Sequence, residues 1–248
     1  MPETKNNSNL LIPASIIIAG FLIAGGLYFG LSKGGGLGQA AGAAAALPVD
    51  IKDVQTDGDP YIGNKDAKVV LAYWSDYQCP FCKAVEVGDV EGINFNSRSG
   101  DLKEAFPTII KDYVNTGKLK IVFKDYPFLG NDSITAALYE HAVWKLYQDK
   151  FYTWREAMFK AQDDEGDQGF GDEASIVAII KTISGMDADK IKADVAANKA
   201  EYQKKISADL EEGKSFGING TPGFITGKTL IPGAAELASF KAAIDPQL

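Results

Sequence analysis

The chain has 248 residues, 46% hydrophobic and 23% charged, with 33 acidic against 25 basic side chains and a formal net charge of −8. This is a globular mix, long enough for one sizeable domain with accessories. A nucleic-acid binder needs a basic face to displace counterions, and no Lys/Arg cluster stands out, so no nucleic-acid partner is expected.

From Leu10 to Leu31 the chain reads LLIPASIIIAGFLIAGGLYFGL, without a charged residue. As a helix this run is about 33 Å long at roughly 1.5 Å per residue, enough to span a bilayer core. Apolar residues cover every face, which favours a membrane span over the alternative of a buried soluble helix. The run exceeds the roughly 7–15-residue apolar core of a cleaved signal peptide. Small residues around Ala44 and Ala46 resemble a cleavage site but lie far beyond it. The expectation is an uncleaved single-pass anchor at residues 10–31, with residues 1–9 in the cytoplasm. Lys5 and Lys33 flank the run on opposite sides, so charge orients it only weakly. Gly34–Asp50, GGGLGQAAGAAAALPVD, reads as a flexible tether within a 32–60 linker. The domain proper is expected at residues 61–248, after the turn-rich Asp57–Pro60.

Lys68–Trp74, KVVLAYW, reads as a buried strand, and Leu119–Phe123, LKIVF, as a second. Between them Leu102, Phe106, Ile109, Ile110 and Tyr113 fall at helical spacing over Asp101–Thr116, with Pro107 weakening the first half. Together they predict a right-handed βαβ unit with parallel strands. A helix capped by Asp132 or Ser133 is predicted to Gln148, with Ile134, Leu138 and Trp144 inward. Phe151–Ala161, Ala174–Ile183, Asp187–Ala197 and Glu201–Glu212 read as further helices. The acidic Asp163–Glu173 lacks the glycine placement of a calcium loop and reads as solvated. Phe224–Thr226 and Thr229–Ile231 read as a hairpin about Gly227-Lys228, followed by a helix over Ala234–Ile244. The order is β-α-β, then helices, then β-β-α.

Both cysteines of the chain lie in Asp76–Lys83, DYQCPFCK, directly after the first strand. Metal binding is poorly served. A closed zinc site needs four ligands, and the single histidine, His141, lies on a predicted helix as a core or surface residue. A structural bridge across so short a loop would stabilise little. The pair makes sense as a bond that opens and closes, with no metal or cofactor expected. A helix beginning at Cys79 would turn its N–H groups and positive dipole end towards that sulfur and favour the thiolate. Pro80 suits the first helical turn. Cys79 is then the exposed nucleophile and Cys82 the shielded resolver.

These residues resemble the DsbA-like thiol-disulfide oxidoreductases of the thioredoxin-fold superfamily, in their membrane-anchored bacterial form. The matching stretches are VVLAYW, SDYQCPFCK, IVFKDYPF with its following helix, and GINGTPGFI, covering about residues 60–245. The resemblance implies a thioredoxin-like α/β fold with a helical insertion over about residues 131–212. It also implies a cis Thr221–Pro222 bond beside the sulfurs. Phe81 stands where strongly oxidising members have histidine. Tyr73 stands where thioredoxins carry a buried acid, six residues before the first cysteine. Asp76 fits an Asp-Tyr-x-Cys pattern, as turn former, helix cap or proton-transfer group. Gly88–Gly100 looks like an extra loop near the active helix.

The expected function is disulfide donation to cysteine-containing exported proteins outside the cytoplasm, with a membrane-bound redox partner recharging Cys79–Cys82. The alternatives are a reductase fed by a membrane electron carrier and a non-catalytic peptide-binding or chaperone module.

Overall fold

The computed structural model describes residues 49–88, 99–163 and 170–248. The apolar run Leu10–Leu31, the Gly/Ala-rich tether as far as Pro48, most of the Gly88–Gly100 stretch and the middle of the acidic loop lie outside the described residues. Among the described residues no helix is long and apolar enough to cross a membrane.

Five strands form one sheet in the order β1-β3-β2-β4-β5. β2 (Val69–Ser75) and β3 (Leu119–Asp125) run parallel, in register from Val69 against Leu119 to Ser75 against Asp125. Both are runs of β-branched and aromatic residues, and Leu71, Ala72, Tyr73 and Trp74 are all fully buried. Burial on both faces suits a strand covered from two sides. β4 (Gly223–Thr226) lies antiparallel to β2, pairing Trp74 with Gly223 and Leu71 with Thr226. β5 (Thr229–Pro232) closes the predicted hairpin through Gly227, whose φ of +53° suits a tight turn without a Cβ. β1 (Tyr61–Gly63), too short to show a period in sequence, edges the sheet antiparallel to β3.

The crossover from β2 to β3 holds α1 (Pro80–Val87) and α2 (Ser99–Ile109). Pro107 lies inside α2 without ending it. Beyond it, Ile110–Val114 form a π-helical turn, in which the Asn115 N–H reaches the Ile110 carbonyl at 2.8 Å. Leu102, Phe106, Ile109 and Tyr113 face the core, as their spacing predicts.

The helical insertion comprises α3 (Asn131–Leu146), α4 (Phe151–Ala161), α5 (Glu173–Thr182) and α6 (Ala188–Ser215). Two sequence expectations change here. The helices predicted at Asp187–Ala197 and Glu201–Glu212 are one helix of 28 residues, N-capped by Asp187. Residues 198–200 hold no glycine or proline. The buried stripe Ile191, Val195, Tyr202, Ile206, Asp209, Gly213 runs through without a phase break. α3 starts at Asn131 after Gly130, one or two residues before the expected caps, and Ile134 is exposed rather than inward. Its next residues, Ala136–Val143, are buried on all sides between neighbours.

The segment Val49–Pro60, read from sequence as the end of the linker, is packed against the sheet. Val49 and Val54 are buried with Ala72, Trp74, Tyr126, Ile218 and Ile225. The Ile51 N–H donates to the Gly227 carbonyl at 2.7 Å, and Lys124 Nζ reaches the Gln55 carbonyl at 2.8 Å and Asp59 at 2.7 Å. The larger core, on the other face, holds Tyr73, Phe106, Phe123, Phe224 and Phe240 with both cysteines. The last helix, α7 (Leu237–Ile244), begins three residues later than expected and packs Phe240 edge-on to Phe224 with ring centroids 4.9 Å apart.

Candidate active site

β2 ends at Ser75, and the chain turns into α1 through Asp76–Cys79. Cys79 is the N-cap of α1, in extended backbone, and Pro80 is its first residue. The Cys82 and Lys83 N–H groups bond the Cys79 carbonyl at 3.0 and 3.1 Å, so the first turn winds directly around the sulfur pair. Both thiols are free. Cys82 is wholly buried, and Cys79 is exposed by only 3%, less than its expected place as an open nucleophile. Burial comes from the Thr221-Pro222 loop: the Cys79 thiol donates to the Thr221 carbonyl at 3.3 Å, and the Thr221–Pro222 bond is cis.

The two sulfurs are electrostatically unlike. The Cys79 pKa lies below its ordinary value. The Cys82 thiol, hydrogen-bonded to it, is the main cause; Thr221 and the Phe81 and Cys82 N–H groups add, and burial opposes. Cys82 lies well above its ordinary value because it is buried, because it gives its proton in a hydrogen bond to Cys79, and because its own thiolate would be repelled by that of Cys79. Of the two sulfurs, Cys79 is therefore the one that gives up its proton more readily and so the better nucleophile.

Phe81 is 42% exposed, the most open side chain of the motif. With Ile218, Thr221, Pro222, Leu230 and Pro232 it lines a mostly apolar groove of about 410 Å³ beside the sulfurs. Asp76 is buried and acts as a loop clamp. One carboxylate oxygen accepts the Gln78 N–H at 2.9 Å, and the other accepts the Phe128 and Leu129 N–H groups at 2.9 and 3.2 Å. The carboxylate thus ties the cysteine loop to the chain after β3, and its own pKa is raised by burial despite these bonds.

Several supporting residues went unnoticed in the sequence. Gln162, just past α4, donates to the Tyr77 and Cys79 carbonyls at 2.7 and 3.1 Å and so clamps the active loop from the insertion. Gln78 Nε2 reaches the Phe170 carbonyl at 2.9 Å. Beneath the site lies the fully buried Arg155 of α4. Its guanidinium donates to Glu86 at 2.8 Å, Glu140 at 3.3 Å, Ser75 at 2.7 Å and the Tyr77 hydroxyl at 3.1 Å. It also sits 4.1 Å from the Phe123 ring centroid. Burial raises both carboxyls, Glu140 to about 7, against the pull of Arg155. A charged residue amid FYTWREAMFK reads as a solvent face, so only tertiary context reveals this cluster. His141 is buried, paired with Asp125 at 2.8 Å and stacked on Tyr202, in the core.

The sequence profile of the family described as Thioredoxin matches residues 55–94 and 101–246. Disulfide bond formation protein D of Bacillus subtilis is 27% identical over 191 residues, covering 77% of this chain and 78% of that protein. A probable disulfide bond formation protein D of Bacillus anthracis is 23% identical over 188 residues, 75% of this chain and 77% of that one. Among solved structures, the thiol-disulfide exchange protein alpha-DsbA2 of Wolbachia pipientis superposes with a TM-score of 0.61 at 28% identity, covering 77% of this chain and 87% of that one. Oxidised BdbD of Bacillus subtilis superposes at 0.65 and 24% identity, over 82% and 97% of the two chains, and speaks for the fold. A cysteine pair built for exchange, on this sheet and with this insertion, places the chain in the thioredoxin family, among its DsbA-like thiol-disulfide oxidoreductases.

Proposed function

We propose that this oxidoreductase works outside the cytoplasm, tethered by Leu10–Leu31, and donates its Cys79–Cys82 disulfide to cysteine-containing exported proteins. A membrane-bound redox partner recharges the pair. The observation that carries the reading is the seat of Cys79, at the start of α1 with a lowered pKa and beside an apolar groove. Oxidising power grows as the reduced, thiolate form gains stability relative to the disulfide. An extended substrate segment laid in the groove would bring its own thiol towards Cys79. The test is the reduction potential from equilibration with glutathione. Donation predicts a value clearly above thioredoxin's roughly −270 mV. A value near that figure would assign the domain to reduction, fed by a membrane electron carrier.

The location has its own test. A membrane-impermeant maleimide added to intact cells should label reduced Cys79 in a protein that fractionates with membranes. A mature protein free of membranes, with a new amino terminus near Ala46, would show a cleaved signal instead.

Phe81 tunes the strength of the pair. It brings an apolar surface and no positive charge to Cys79, so the helix start and the Cys82 hydrogen bond supply the stabilisation. Phe81→His should lower the Cys79 pKa and raise the potential, by about 30 mV for each 1.4 kcal/mol gained by the reduced form. Thiolate absorbance during a pH titration and glutathione equilibration read the two changes. An unaltered potential would mean that this side chain does not tune the pair.

A further inference from the structure

Tyr73 is wholly buried on β2, its ring stacked on Phe224 at 4.4 Å and edge-on to Phe106 at 5.4 Å. The ring is fully used in packing, but the hydroxyl makes no hydrogen bond of ordinary geometry. A buried polar atom left without a partner costs stability, and phenylalanine would fill the same space without that cost. After burial, the group that acts most on this hydroxyl is Cys82, through the charge its sulfur carries once ionised and through a side-chain hydrogen bond, ahead of Glu86 and Arg155. A second buried hydroxyl, Thr221 Oγ1, likewise makes no hydrogen bond of ordinary geometry and favours the thiolate at Cys82, as does the Asp76 N–H.

We propose that the Tyr73 hydroxyl is a catalytic hydrogen-bond donor, held ready for the Cys82 sulfur at the moment the Cys79–Cys82 bond breaks. In that step an attacking thiolate forms a new S–S bond to Cys79 Sγ. The Cys79–Cys82 bond breaks, and its electron pair leaves on Cys82 Sγ. The leaving sulfur carries a full negative charge until it takes up the proton that the attacking thiol released to solvent. Burial makes a thiolate at Cys82 the costly species of this step. A donor fixed in advance at a site where charge develops lowers that cost without reorganising when the reaction occurs. It is underused in the resting dithiol, where Cys82 is neutral, because its acceptor appears only transiently. By microscopic reversibility the same donor favours Cys82 as attacking thiolate when the disulfide re-forms, so the role holds for either direction of exchange. The thioredoxin-type buried acid at this position is thus replaced by a neutral donor that needs no counter-charge.

Tyr73→Phe in the full-length protein tests this. A hydrogen bond to a charged acceptor contributes about 1.5–3 kcal/mol, so reduction of the disulfide by dithiothreitol should slow by roughly 10- to 100-fold. The reduction potential at pH 7 should stay unchanged, because the Cys82 sulfur is uncharged in both end states. The melting temperature should stay level or rise, because an unpaired hydroxyl leaves and the ring remains. A rate within twofold of the parent protein would overturn the proposal. So would a lowered melting temperature with an unaltered rate, which would assign the hydroxyl to the fold.

Discussion

Arg155→Met should destabilise the domain by about 3–5 kcal/mol at pH 8, the range for breaking a buried ion pair from one side. The guanidinium is fully buried and contacts two buried carboxylates, Glu86 and Glu140, besides Ser75 and Tyr77. Methionine fills much of the space but leaves both carboxylates without a countercharge. Burial already raises them, Glu140 to about 7, and losing Arg155 removes the force that holds them down. Their folded-state pKa values then exceed the unfolded ones by more, so the folded protein binds protons that the unfolded chain does not. Stability under that condition falls as pH rises from the unfolded carboxyl pKa towards the folded one. The variant's deficit should therefore be large at pH 8 and much smaller near pH 5, as read by urea unfolding at both. A deficit that ignored pH would mean that packing, not charge, is what Arg155 contributes. The cluster also borders the site through Ser75, Tyr77 and Glu86 of α1, so a loosened Arg155 should slow exchange as well.

Cys79→Ser should abolish exchange with dithiol peptides, whereas Cys82→Ser should retain the first half-reaction and stall there. The attacking thiolate must reach a sulfur near the surface, and Cys82 lies behind Cys79 with no exposed area. Without Cys82 nothing resolves the bond from Cys79 to a substrate, so mixed disulfides should accumulate and appear as added mass. Without Cys79 the remaining thiol is buried and holds its proton, so no adduct should form. A Cys79→Ser protein that still oxidised peptides or reduced insulin would remove the chemistry from this pair. Unaltered biological activity in that variant would favour a non-catalytic peptide-binding module.

The two central strands were readable because each is a short apolar run ending in polar residues, and the cysteine motif begins where the first run stops. The hairpin after Pro222 was readable from Gly227-Lys228 between two β-forming triplets. Other features follow from packing that no local pattern records. β1 is three residues long, too short for a period to show. The helices read separately over Asp187–Ala197 and Glu201–Glu212 are one, α6. The buried stripe continues at the right phase from Val195 to Tyr202. Gly213 marks that stripe's close approach to the sheet, where a Cβ would lie 2.9 Å from the Trp74 ring. Ile134 looked inward by spacing alone, yet the insertion places it at the surface.

At the site the same division holds. Cys79, Pro80 and Cys82 were legible as a helix start with two sulfurs one turn apart. The nearness of Thr221 to Cys79 joins residues 142 positions apart and entered the sequence reading only through family resemblance. Asp76 was legible as polar and near the motif. Its choice of backbone partners at Phe128 and Leu129 depends on the parallel pairing of β2 with β3. Gln162 and Arg155 arrive from the insertion, and nothing in their own neighbourhoods distinguishes them from solvent-facing residues.

The most direct test of the central assignment is alkylation of the fully reduced protein by a brief pulse of iodoacetamide at pH 7, followed by peptide mapping. Thiolate reacts and thiol does not, so the lowered pKa of Cys79 and the raised pKa of Cys82 predict label on Cys79 with Cys82 left free. Faster labelling of Cys82 than of Cys79 would contradict the account, reversing the roles of the two sulfurs.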